Sequence, residues 1–168
     1  PGLLDPAASR NLELDAVAVW VRLSSLPSRS ETERFDIADR ALQRYNALLT
    51  DWSRQLPETQ DAIRRARLDR LGALASRQQW RTLAQEYEAL AADAPINSPY
   101  VLRQAGSAYL ELRQPEQAIP CFEQALAGLA QDDEERMLAE LGLFYALVET
   151  EDFERASAIV AEANRRDT

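Results

Sequence analysis

Apolar residues recur at spacings of three and four along almost the whole of this 168-residue chain, and most of its eight prolines fall between the periodic runs. With glycine scarce at five residues, this is the punctuation of a helical protein with short connections. The pattern predicts eight helices of about 14–25 residues joined by turns of about two to five, a string of αα-hairpins.

The first helix is expected over about residues 5–25, with Leu12, Ala16, Val19, Trp20 and Leu23 on one face and Leu14, Val17 and Val21 on a second. The second begins at a capping box, Ser30-Glu31-Thr32-Glu33, and carries Phe35, Ala38, Leu42, Tyr45, Leu49 and Trp52 before stopping at Pro57. The third covers about 58–77, with Pro57, Glu58 and Asp61 suited to its first turn. The fourth covers about 79–94. The fifth opens with Ser98-Pro99 and the sixth near Pro115. The acidic run Asp132–Glu135 opens the seventh, and the eighth covers about 152–166.

The sixth helix carries Ala118, Phe122 and Ala125, an Ala-x3-Phe-x2-Ala pattern, and the fifth places Gly106 and Tyr109 before it. Small residues are needed where two helices cross closely, and a large ring fills the gap between adjacent hairpins. This is the signature of a tetratricopeptide repeat. Leu71-Gly72 followed by Trp80, Leu83, Tyr87 and Leu90 repeats it with slips. Leu141-Gly142 and Tyr145, followed by Phe153, Ala156, Val160 and Ala163, do so again. Ala118 and Ala156 are 38 residues apart, longer than the usual period of about 34, which places extra length in the Val148–Asp152 turn or the loop before it. The expected fold is all-α, a tetratricopeptide-repeat-like right-handed α-solenoid of about eight helices in four αα-hairpins. It is read as a single helical-repeat domain over 1–168. Residues 5–56 form a degenerate or capping hairpin, and 57–95, 98–131 and 132–167 form three repeat-like ones. The start without Met and the end inside a helical pattern read as a fragment of a larger protein.

Charge and chemistry narrow the function. Nineteen basic against 28 acidic residues give a net charge of −9, which argues against duplex nucleic acid and anionic membranes as partners. There is no histidine, and Cys121 is the one cysteine, so a Ser-His-Asp triad, a disulfide within the chain and a Cys-based zinc site are excluded. No cofactor and no metal site are expected. Cys121 reads as core filler, and the Asp132–Glu135 run as a helix cap. Arg64, Arg65, Arg67 and Arg70 read as ion-pair partners of acids such as Asp39, Asp51 or Asp69 rather than as a polyanion site. Trp20, Trp52 and Trp80 lie in apolar stripes and read as core. No spacing selects two of the 28 acids as a glycosidase pair.

In such repeats the first helices of successive hairpins line a binding wall. Taking Gly106 and Gly72 as reference points places Tyr100, Arg103, Ser107 and Leu110 there, with Asp69, Ala73 and Ser76. Arg136, Ala139, Leu143 and Ala146 follow for the last hairpin.

The block Arg29-Ser30-Glu31-Thr32-Glu33-Arg34-Phe35-Asp36-Ile37-Ala38-Asp39-Arg40-Ala41-Leu42 is more specific than the repeat motif. With Leu68–Leu74, Tyr87–Leu90 and Ala108–Ala118, it resembles the periplasmic repeat region of the outer-membrane exporters of poly-β-1,6-N-acetyl-D-glucosamine (PNAG), a biofilm polysaccharide of Gram-negative bacteria. The resemblance covers about Val21 to Ala125. It implies a periplasmic portion of an outer-membrane protein whose β-barrel lies elsewhere in the polypeptide. It also implies a non-enzymatic role, in which the repeats recruit the periplasmic polysaccharide deacetylase of the same system and guide the partly deacetylated polymer to the pore. Asp36, Asp39 and Asp69 are the candidate carboxylates for polymer amines, Tyr100 is a candidate stacking ring, and Arg103 is a further binding candidate. The alternatives are a generic peptide-binding repeat scaffold of an unrelated assembly and, less favoured by the residues, a lytic or deacetylating enzyme.

Overall fold

The computed structural model describes residues 5–52, 60–130 and 133–166. Among them are eight helices: α1 Pro6–Ser24, α2 Glu31–Trp52, α3 Gln60–Ser76, α4 Trp80–Asp93, α5 Pro99–Glu111, α6 Pro115–Gly128, α7 Glu134–Glu149 and α8 Phe153–Arg166. The described residues contain no strand. The expected helix starts at Pro57-Glu58 and Asp132 lie outside the described residues.

Local chemistry sets the helix starts. At α2 the Ser30 N–H donates to Glu33 Oε2 at 2.9 Å and the Glu33 N–H donates to Ser30 Oγ at 3.3 Å, so the capping box closes in both directions. The Ser30 hydrogen bonds hold the Glu33 carboxyl below its ordinary range. Ser98 accepts from the Val101 N–H ahead of α5, with proline in the first turn. Asp133 accepts from the Glu135 N–H at 2.9 Å ahead of α7.

The helices fall into two units, Pro1–Asp93 and Ala94–Thr168, each with its own core. In the first, α3 packs against both α1 and α2, and α4 against α3. In the second, α7 packs against both α5 and α6, and α8 against α7. Each unit therefore stacks the first helix of one hairpin on the two helices of the hairpin before it, which is tetratricopeptide-type packing.

Three hairpins turn in the same way. Gln78, Arg113 and Glu151 sit just past α3, α5 and α7 with φ of 55°, 60° and 61°. The N–H of each donates to a carbonyl three residues back, that of Ala75, Leu110 or Val148. The next N–H, from Gln79, Gln114 or Asp152, donates five residues back to Leu74, Tyr109 or Leu147. This is the Schellman pattern, here built without glycine. The turn at 150–152 has the same length as that at 112–114, so the expected extra length is not there. Glu151 lies nine residues after Gly142 whereas Arg113 lies seven after Gly106, which puts two of the extra residues in α7 itself.

In the first unit the core is Leu14, Val17, Val21, Ala38, Ala41, Leu42, Tyr45, Leu48, Trp52 and the inner face of α3 and α4. Of the two apolar stripes on α1, the structure buries the one with Leu14, Val17 and Val21. Leu12, Val19 and Trp20 are exposed, so the expectation of Trp20 as core is corrected; Trp52 is buried and Trp80 half-buried. The buried stripe continues to Ser24, whose hydroxyl donates to the Val21 carbonyl at 2.7 Å and is hydrogen-bonded to the Ser76 hydroxyl of α3 at 2.9 Å, where it acts as acceptor. A polar residue can therefore end the inward face without an unmet hydrogen bond.

In the second unit the core centres on Phe122, which is wholly buried. A Cβ added at Gly106 would lie 2.8 Å from Phe122 Cε1, and one added at Gly142 would lie closer still to the same ring. One ring thus fills the space between α5 of its own hairpin and α7 of the next, and only glycine lets both helices approach it. Cys121 is buried beside it. The same register has a different fate one hairpin on. Tyr109, three residues after Gly106, is 5% exposed, while Tyr145, three residues after Gly142, is 54% exposed.

Candidate functional site

The basic stretch of α3 is tied down within the first unit. Arg65 pairs with Asp15 and more distantly with Asp69, Arg67 with Glu86 and Asp93, and Arg70 with Glu86. Arg64 donates to the Leu90 carbonyl at 3.1 Å. The ion-pair reading of this stretch holds, with Asp15, Glu86 and Asp93 supplying most of the partners.

The three candidate aspartates also lie in the first unit. Asp36 on α2 is exposed and has no ion-pair partner among the described residues. Asp39, one turn on, accepts from Arg77 Nε at 2.7 Å, and the Arg77 guanidinium lies 4.5 Å over the Phe35 ring. Asp69 on α3 is half-buried. Burial pushes its carboxyl above the ordinary value; Arg65 opposes this, Asp15 adds to it and Arg22 opposes it. Its Oδ2 and the Tyr45 hydroxyl are both buried without a hydrogen-bond partner among the described residues. Burial, and secondarily Asp69, raises the Tyr45 hydroxyl as well, with Arg65 acting the other way. Asp69 is therefore part of a polar cluster with Asp15, Arg22, Tyr45 and Arg65, and Asp36 is the open carboxylate of the three.

Tyr100 and Arg103 belong to the second unit, where the Arg103 guanidinium lies 5.5 Å from the Tyr100 ring centroid. Arg103 is also ion-paired with Glu135 of α7 and is largely covered, so it fastens α5 to α7. The side chains assigned to the wall from α7 differ more. Ala139, Leu143 and Ala146 are buried, as is Ala73 of α3, because these small and branched residues form the seams between packed helices. Arg136 turns back on α6 and donates to the carbonyls of Leu126 and Leu129.

A cleft of about 240 Å³ lies between the C-terminal ends of α5 and α7, lined by Leu110, Glu111, Arg113, Tyr145 and Glu149. Leu110 was expected to face outward here. The other four carry no distinguishing sequence signal, because Tyr145 reads in register as an inter-hairpin filler like Tyr109. Arg113 Nη1 donates to Glu149 Oε1 at 2.6 Å across the cleft. Glu111 is exposed and has no ion-pair partner among the described residues. The Tyr145 ring is held edge-on by Phe144, with centroids 5.7 Å apart. Among the described residues no group of three or more His, Cys, Asp or Glu could hold a metal ion. No helix there is long and apolar enough to cross a membrane.

Stacked hairpins with a shared ring between first helices define a helical-repeat protein of the tetratricopeptide class. Over 158 residues, 92% of its length, the chain is 33% identical to the poly-β-1,6-N-acetyl-D-glucosamine export proteins of Escherichia coli K12 and of Escherichia coli O157:H7. Over this segment the chain is similar in sequence to these export proteins, in keeping with the resemblance carried by the Arg29–Leu42 block. It spans 19% of the length of these relatives. No family model matches the sequence.

Proposed function

We propose that the chain is a non-enzymatic interaction module of a PNAG exporter, working on the periplasmic side of a Gram-negative outer membrane. In this reading it recruits the periplasmic deacetylase and guides partly deacetylated polymer towards an outer-membrane β-barrel of the same protein. The observation that carries the proposal is the 33% identity to PNAG export proteins over 92% of the chain. Helical repeats suit the role because they present extended surfaces to partners.

The charge fits the cargo. Deacetylation converts neutral acetamido groups into amines that carry positive charge near neutral pH. A chain with a net charge of −9 attracts such a polymer through many weak contacts. Weak, multi-site binding is what transport needs, since a carrier surface must release its cargo as readily as it takes it. Asp36, as the open aspartate, is the best placed of the sequence candidates to act this way; Asp39 and Arg103 are already engaged in ion pairs. Binding of the chain to the deacetylase and to glucosamine oligomers of defined acetylation tests the proposal.

A further inference from the structure

We infer that the cleft between α5 and α7 is a subsite for one hexosamine unit of a β-linked amino-sugar polymer. The inference rests on the proposed role in PNAG export and gives it a particular place in the molecule.

Size comes first. At about 30 Å³ per water, 240 Å³ holds roughly eight waters, enough room for a single pyranose ring with its substituents. Chemistry comes second. One face of a glucosamine ring presents only C–H groups. Such a face needs an apolar platform, and the exposed Tyr145 ring together with Leu110 provides one. An aromatic face also attracts a nearby cation, so a protonated amine at its rim adds to the contact.

The polar groups are of the right kind. Glu111 carries a charge that no described arginine neutralises, and it can accept from an ammonium or a hydroxyl. The Arg113–Glu149 pair offers donors and an acceptor side by side, which suits neighbouring hydroxyls or an acetamido carbonyl. Arg113 is placed by its backbone, since it is the left-handed residue of the turn after α5. The platform, the free carboxylate and the donor–acceptor pair therefore project from two helices and one fixed turn.

The test is a titration of the parent chain and its variants with a partly deacetylated β-1,6-linked glucosamine oligomer and with its fully acetylated counterpart, followed by protein NMR. All these side chains except Leu110 are exposed, so thermal midpoints should stay close to that of the parent. Tyr145→Ala is expected to weaken both oligomers about tenfold, equivalent to about 1.4 kcal/mol, and Tyr145→Phe to keep most of the binding. Glu111→Gln is expected to weaken the deacetylated oligomer and spare the acetylated one. If the parent binds but Tyr145→Ala and Glu111→Gln bind equally well, the subsite is overturned while the export reading stands. If neither oligomer binds the parent, subsite and polymer-guiding role fall together.

Discussion

A methyl group at residue 142 has no room, because the Phe122 ring already occupies its place, and the same ring lies 2.8 Å from where a Cβ would stand on Gly106. Gly142→Ala is therefore expected to destabilise the second unit by about 1–3 kcal/mol, and Gly106→Ala by less. Thermal or urea unfolding of the two variants would check the order. At Asp69 the expected effect has the opposite sign. An acid whose value is raised by folding binds its proton more tightly in the folded state. Stability therefore falls as pH climbs from the ordinary value of 3.8 through the raised one, and the penalty is complete above it. Asp69→Asn removes the charge and keeps the shape. Its thermal midpoint is expected above the parent's at pH 7, with the gain shrinking as pH is lowered towards 3.8. A lower midpoint at pH 7 would show that the Arg65 pairing outweighs burial. Part of this was readable in the sequence: motif spacing puts Gly106 at a close helix crossing near Ala118, and the group it meets there is Phe122, one turn further on. The Asp15–Arg65–Asp69–Tyr45 cluster was not readable, because it joins three helices whose mutual rotation no spacing encodes.

The turns after α3, α5 and α7 repeat one geometry with three different residues, Gln78, Arg113 and Glu151, in the left-handed region. An L-residue costs about 1–2 kcal/mol there, partly offset by the greater freedom that glycine loses on folding. Gln78→Gly and Glu151→Gly are each expected to stabilise the chain by about 0.5–1 kcal/mol. At about 2–4 °C per kcal/mol for a chain of this size, that is a rise of one to a few degrees in Tm. An unchanged or lower Tm would contradict the strain assigned to these turns. Sequence reading placed these turns from helix ends and prolines, but not their shape, because glycine, the usual mark of the motif, is absent. Helix starts were more legible: Ser30-x-x-Glu33 and Ser98-Pro99 name their own hydrogen bonds. The inward face of α1 was not, since both its stripes are apolar, and only packing against α2 and α3 selects Leu14, Val17 and Val21.

For the whole molecule, the all-α repeat fold was legible because a 3.6-residue period and a Gly/Ala–Phe register are both written directly in residue spacing. The candidate site was legible only in part. Asp36 was named from the sequence as a candidate carboxylate and is exposed, whereas Tyr145, Glu111 and Glu149 gain their setting from the way α7 lies beside α5. If this acidic repeat surface carries an amino-sugar polymer by diffuse attraction, as proposed, a binding titration at two ionic strengths will show it. The parent chain is titrated with partly deacetylated and fully acetylated β-1,6-linked glucosamine oligomers at low salt and again at 0.15 M. The expected result is weak binding that favours the deacetylated oligomer and falls as salt rises, because exposed charges more than about 8–10 Å apart are screened at 0.1–0.15 M. Equal binding of both oligomers, unmoved by salt, would contradict the account.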